Sequence, residues 1–191
     1  NLPALETLNA EQVDVMPQEL AARQDIRPLK LLLLNLMPKK RDTEIQFARL
    51  FGNTPLQVEM ILMTTASYTP RNTEPGYLRR FYRQLDDVRY EYFDALIVTG
   101  APIETLPFEE VNYWQELSEI LDWSRAHCFR RLGICWGAQA LLWHFFKVPK
   151  HQLDTKLFGV FDHRLSLISE RLMNGFTDRF PMPISRYTMN R

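Results

Sequence analysis

Short apolar runs alternate with amphipathic segments along most of the chain. The clearest run covers residues 29–36 and is broken at Pro38, as expected for a strand that is buried on both faces. Further strands are predicted at the alternating positions 58, 60 and 62, at residues 93–99, at residues 131–134 and at residues 157–161.

Amphipathic helices are predicted between these strands. Thr43 and Gln46 fit a capping box at the start of the first helix, and Gly52 is expected to end it. The other predicted helices cover residues 75–85, 111–124 and 136–146. The alternation of strands and helices predicts an α/β fold with a mostly parallel sheet flanked by helices. Ligands of such sheets bind at the carboxyl ends of the strands.

Composition narrows the class of protein. Residues 1–28 are polar and weakly periodic and are predicted to form an N-terminal arm, with the α/β domain at 29–191. Lys and Arg total 23 and so do Asp and Glu, and this zero net charge argues against nucleic-acid binding. No apolar run approaches the roughly 20 residues of a membrane helix, and no secretory signal pattern is visible. The sequence predicts a cytoplasmic protein that binds neither nucleic acids nor membranes.

The cysteines and histidines do not form a metal-binding pattern. The two cysteines, Cys128 and Cys135, lack Cys-x-x-Cys spacing, and they are too few for a disulfide scaffold. The four histidines show no pair four residues apart on one helix face. We therefore expect no metal site.

Residues 133–139 read Gly-Ile-Cys-Trp-Gly-Ala-Gln and have the form of a nucleophile elbow. Cys135 lies between a predicted strand and a predicted helix, with Gly133 and Gly137 removing side chains that would clash in the tight turn. The helix N-terminus favours a thiolate, and the Trp136 N–H in its first turn is available to an oxyanion. The alternative is a buried cysteine that acts as a small apolar residue, and this is the interpretation of Cys128.

The pattern Gly-x-Cys-x-Gly-x-Gln is shared with class I glutamine amidotransferases. Further stretches follow the order of the homoserine O-acyltransferase family, at residues 26–30, 35–40, 52–58, 93–102, 155–160 and 185–187. The chain resembles this family over about residues 26–187. The resemblance implies a flavodoxin-like, class I glutamine amidotransferase-like fold. It also implies transfer of an acetyl or succinyl group from acyl-CoA, as co-substrate, to the hydroxyl of L-homoserine in methionine biosynthesis, through a thioester on Cys135.

The resemblance also assigns roles to individual residues. Lys40 matches an active-site lysine of the family, Lys156 a lysine that contacts the amino-acid substrate, and Ser185 a position linked to amino-acid specificity. Glu104 matches the position tied to the acyl donor, where Glu accompanies acetyl-CoA and Gly accompanies succinyl-CoA. A carboxylate at this position would repel the carboxylate of a succinyl group, so we expect acetyl transfer.

Analogy with the amidotransferases suggests a second oxyanion donor. The N–H of Gly100 or of Ala101, just after the strand at residues 93–99, is the expected group.

One feature of the family is missing from the 191 residues. The family carries a His-x-Glu pair downstream of the cysteine, and no such pair occurs here; His163 is the nearest histidine but does not match it. The chain is therefore expected to be a fragment that lacks its C-terminal part, slow in turnover yet able to be acylated. Such a fragment would expose a sheet edge, and we expect a homodimer.

Three alternatives to a homoserine acyltransferase stay open at this point. They are a serine O-acetyltransferase of cysteine biosynthesis, a glutamine amidotransferase-like cysteine hydrolase, and a relative that has lost catalysis.

Overall fold

The structure, a computed structural model, describes residues 3–67, 73–165 and 173–190. Contacts within the chain divide it into two compact units, Asn1–Val148 and Pro149–Arg191. The sequence instead set residues 1–28 apart, but these belong to the first unit, where Leu8 is fully buried.

The first unit contains a four-stranded parallel sheet. Its strands are β1 (Leu29–Leu34), β2 (Val58–Met63), β3 (Phe93–Val98) and β4 (Cys128–Gly133). They lie in the order β2-β1-β3-β4, and every pair is parallel. The predicted α/β class with a parallel sheet is confirmed. The fourth strand begins three residues before its predicted start, because it lies at one end of the sheet order and carries arginines that interrupt the apolar pattern.

Helices cover both faces of this sheet. They are α1 (Leu5–Ala10), α2 (Gln18–Ala21), α3 (Lys40–Gly52), α4 (Pro75–Phe81), α5 (Leu85–Val88), α6 (Trp114–His127) and α7 (Trp136–Phe146), with a 3₁₀ turn at Phe108–Glu110. No helix among the residues described above is both long and apolar enough to span a membrane.

Two helix predictions need correction. Helix α3 begins at Lys40, so Thr43 lies in its first turn and donates its hydroxyl to Lys39 O at 3.2 Å instead of capping the helix. The helix predicted at residues 75–85 is two helices, because Arg83 donates its N–H to Leu62 O of β2 at 2.8 Å. That sheet-like contact interrupts the helical backbone between them.

The core lies on both faces of the sheet and follows the two-residue period of the strands. Leu32, Leu34, Leu96 and Val98 face a cluster that includes residues of α6 and α7. The intervening residues Leu33 and Ile97 face a second cluster with residues of α1, α3 and α4. Burial on both faces explains the nearly continuous apolar composition of β1 and β3.

The second unit is an antiparallel pair, β5 (Lys150–Arg164) and β6 (Arg179–Asn190). The strand predicted at residues 157–161 lies within β5, and the turn at Asn174 and Gly175 is present. Strand β6 was not predicted, because Pro181 and Pro183 lack the N–H that a strand uses for pairing. The two prolines are two residues apart, so their nitrogens point to the same side, which is away from β5.

Candidate active site

The turn between β4 and α7 has the geometry of a nucleophile elbow. Cys135 stands between them with φ 54° and ψ −120°, a region that side chains rarely adopt. The Ile134 N–H donates to Val98 O at 2.9 Å, and the Ala138 N–H donates to Cys135 O at 3.0 Å. The strained turn leaves Cys135 exposed at the carboxyl end of the sheet.

Two glycines permit this turn. A Cβ on Gly137 would lie 2.4 Å from Val98 O, and a Cβ on Gly133 would lie 2.5 Å from the Cα of Ala138. Both obstacles are backbone atoms, which cannot rotate away as a side chain can. The close approach of α7 to the ends of β3 and β4 therefore depends on glycine at both positions, as the elbow pattern predicted.

The end of β3 lies beside the cysteine. A Cβ on Gly100 would be 3.2 Å from the Cβ of Cys135 and 3.7 Å from its Sγ. Trp136 is the first residue of α7, and N–H groups in a first helical turn have no partner within the helix. Its indole is fully buried, and the ring centroid lies 5.9 Å from that of Phe108. Core packing of Trp136 therefore fixes the backbone next to Cys135. Ala101, which follows Gly100, is also buried.

The other cysteine has a different environment. Cys128 is 4% exposed at the start of β4, and burial raises the pKa of its thiol to about 12. A thiol in this state is not a nucleophile at neutral pH, which agrees with its interpretation as a core residue.

Lys40 occupies the first position of α3, next to the end of β1. Its side chain is 3% exposed, and Nζ donates to the carbonyl oxygen of Asn35 at 2.5 Å. Nζ also lies 5.4 Å from the ring centroid of Tyr82. Loss of hydration lowers the pKa of Lys40 to about 8, although the Glu44 carboxylate acts in the opposite direction.

Glu44 is a buried carboxylate that the sequence reading missed. It is 1% exposed and accepts hydrogen bonds from Tyr77 Oη at 2.5 Å and from Tyr82 Oη. Burial and this carboxylate raise the pKa of both tyrosines. The sequence placed the start of this helix at Thr43, so the four-residue spacing that puts Lys40 and Glu44 on one helix face became apparent only because α3 begins at Lys40.

A polar cavity of about 450 Å³ opens at the start of α3. Arg41 stacks on one wall, with its guanidinium 4.4 Å from the ring centroid of Tyr77. The lining residues are Lys39, Lys40, Arg41, Asp42, Thr73, Glu74 and Tyr77.

Hydrogen bonds connect the carboxyl ends of β1 and β3. The Leu36 N–H donates to Thr99 Oγ1 at 2.8 Å, and the Thr99 N–H donates to Leu34 O at 3.1 Å. The segments that contain Lys40 and Gly100 therefore leave the same edge of the sheet. Glu104 follows in the turn after β3 and is half-buried.

Lys156 and Ser185 belong to the second unit. Lys156 is exposed, with Nζ 5.5 Å from the ring centroid of Phe158 and 5.2 Å from that of Tyr187. Ser185 is also exposed and lies opposite Phe158 in the strand register. The two predicted specificity residues are therefore on adjacent strands of one hairpin.

Three of the histidines contact structural partners. His163 Nδ1 lies 2.9 Å from the carbonyl oxygen of Phe161 in its own strand. His144 Nε2 lies 2.9 Å from Asp122 Oδ1, and His127 Nδ1 lies 2.9 Å from the carbonyl oxygen of Glu91.

Comparison with known proteins gives the family. A family model described as homoserine O-succinyltransferase matches residues 1–191. The chain belongs to this family. Membership confirms the resemblance inferred from the sequence and agrees with the parallel α/β sheet of the first unit.

Curated relatives carry a related name. The chain is 52% identical over 188 residues to a homoserine O-acetyltransferase of Novosphingobium aromaticivorans. The aligned residues make up 98% of the chain and 62% of the relative. It is 52% identical over 187 residues to the same-named protein of Clostridium beijerinckii, with 98% and 62% covered. It is 50% identical over 187 residues to the homoserine O-acetyltransferase of Allorhizobium ampelinum, and the aligned residues make up 98% of the chain and 60% of that relative. The chain thus spans only about 60% of the length of these relatives.

Proposed function

We propose that the protein to which this chain belongs transfers an acetyl group from acetyl-CoA to the hydroxyl of L-homoserine, as a step of methionine biosynthesis. The observation that carries the proposal is the elbow, which exposes Cys135 beside the backbone of Gly100 and at the N-terminus of α7. Membership of the family and the names of the relatives support the substrate class.

The reaction would proceed in two steps. The Cys135 thiolate attacks the acetyl carbonyl carbon, the bond from that carbon to the CoA sulfur breaks, and CoA leaves as a thiolate that takes up a proton. The homoserine hydroxyl then attacks the Cys135 thioester, its proton passes to a base, and Cys135 leaves as thiolate. In both steps an oxyanion forms, for which the N–H groups of Trp136 and of Gly100 or Ala101 are the proposed donors.

Charged side chains are proposed to select the substrates. Glu104 would disfavour the extra carboxylate of a succinyl group, and the O-acetyltransferase names of the relatives support this donor. Lys40 is the proposed active-site cation, and Lys156 and Ser185 are proposed to contact the amino acid. Acyl-CoA acts as co-substrate, and a cytoplasmic homodimer stays a prediction.

The test is intact-protein mass spectrometry of the full-length protein after mixing with acetyl-CoA or succinyl-CoA. A mass gain of one acetyl group that is absent from a Cys135→Ala variant is expected, and added homoserine should remove it. A gain only from succinyl-CoA would refute the role of Glu104. Hydrolysis of glutamine without any acyl adduct would refute the proposal in favour of an amidotransferase-like hydrolase, and discharge by serine but not homoserine would replace the acceptor.

A further inference from the structure

Lys40 and Glu44 form a buried pair on one face of α3. They are separated by four residues, so their side chains lie one helical turn apart. Both contact Tyr82, since the Lys40 ammonium lies over its ring and Glu44 accepts its hydroxyl hydrogen. A buried ammonium group without a nearby anion tends to lose its proton, and a buried carboxylate without hydrogen-bond donors tends to gain one.

Hydrogen bonds to the backbone and side chain of Asn35, and from Tyr82, connect the two charged groups. Nζ of Lys40 donates to Asn35 O, and Nδ2 of the same asparagine donates to Tyr82 Oη at 2.9 Å. Tyr82 Oη in turn donates to Glu44, whose second oxygen accepts from Tyr77 Oη. Each of these side chains thus has at least one hydrogen-bond partner, as a stable buried network requires.

We propose that Glu44, held by Tyr77 and Tyr82, is a positioning residue that keeps the Lys40 side chain charged and fixed at the carboxyl end of β1. Its catalytic consequence rests on the proposed function, in which Lys40 is the active-site cation. A fixed charge there would attract the anionic co-substrate and favour the anions formed during acyl transfer.

Other charged groups near Lys40 are exposed to solvent, which weakens their influence on it. Burial lowers the pKa of Lys40 to about 8, and Glu44 is the group that opposes this shift. The exposed charges are Lys39, Arg41 and Asp42 of α3 and Glu74 before α4, and the remaining titratable neighbours are Tyr77 and Tyr82.

The decisive measurement is a pH titration of Lys40 by NMR in the full-length protein, with labelled lysine side chains. Glu44→Gln keeps the size of the side chain and removes its charge, so the Lys40 titration should fall by about one pH unit. Glu74→Gln is the matched control, because Glu74 lines the same cavity but is exposed. It should leave the titration within about 0.3 pH units, which is the range of a screened charge. An unchanged titration in Glu44→Gln, or equal shifts in both variants, would overturn the proposal.

A second variant covers the case in which Glu44→Gln does not fold. Replacing Lys40 by Met leaves the buried Glu44 carboxylate without its neighbouring cation, so the urea midpoint should fall further than in Lys39→Met, where an exposed lysine is replaced. Equal changes of the urea midpoint in the two variants would overturn the proposal.

The consequence for catalysis has its own measurement. The alkaline limb of the rate of Cys135 acylation should move to lower pH in Glu44→Gln together with the Lys40 titration, whereas a purely structural role would lower the rate equally at every pH. Absence of acylation in the unaltered protein would instead refute the proposed function. The NMR titration distinguishes the two failures, because it needs no turnover.

Discussion

Replacing Gly137 by Ala should distort the elbow and destabilise the protein. The new Cβ would lie 2.4 Å from Val98 O and 2.6 Å from Thr99 O, so α7 must move away from the end of β3. The same Val98 carbonyl accepts the Ile134 N–H at 2.9 Å, and that hydrogen bond would be stretched. Overpacking costs about 1–3 kcal/mol and a lost hydrogen bond about 1 kcal/mol, so the free energy of unfolding should fall by about 2–4 kcal/mol.

Gly76→Ala provides the matched control. Gly76 is likewise the second residue of a helix, but a Cβ there has nothing within 4 Å. Alanine should therefore leave stability unchanged or raise it by up to about 1 kcal/mol. Urea unfolding of the full-length protein, followed by circular dichroism, measures both changes. Equal unfolding midpoints for the two variants would refute the claim that backbone contact makes glycine necessary at 137.

Three further predictions concern reactivity and pH. Iodoacetamide should label Cys135 in the folded protein, because Cys135 is exposed, and should label Cys128 only after urea unfolds the protein. Peptide mass spectrometry identifies the labelled cysteine, and labelling of Cys128 before Cys135 would contradict the prediction. Gly100→Ala places a Cβ 3.2 Å from that of Cys135. The rate of Cys135 acylation should therefore fall about tenfold, which corresponds to about 1.4 kcal/mol, with little change in the urea midpoint. An unchanged acylation rate would contradict this prediction. Arg27 holds the pKa of Asp94 at about 2, below its unfolded value, so this stabilisation is present above about pH 4 and is lost as pH falls towards 2. Asp94→Asn should therefore make stability less dependent on pH in that window, and an unchanged slope of urea midpoint against pH would refute this.

The candidate site was only partly visible in the sequence. The elbow around Cys135 could be predicted because its requirements are local: two glycines, a preceding strand and a following helix. Lys40 was predicted by resemblance alone, and nothing indicated that its ammonium would be buried against Asn35 O. Glu44 was missed because its donors, Tyr77 and Tyr82, come from a segment more than thirty residues away.

The helix boundaries show the same division between local and distant causes. Helix α7 begins and ends where the sequence predicted, since its limits follow from the elbow and from the apolar run that it contains. The helix predicted at residues 75–85 is interrupted because Arg83 bonds to β2, a contact with no local signature.

The sequence by itself determined the α/β class, the position of the parallel strands and the tight turn at Cys135, because hydrophobic period and glycine spacing act over a few residues. Only the tertiary structure decided the order of the strands, the environment of Lys40 and the pairing of β6 with its two prolines. Those features depend on which distant groups meet, since burial and hydrogen-bond partners set the charge of a side chain. One sequence pattern is compatible with many different sets of tertiary contacts.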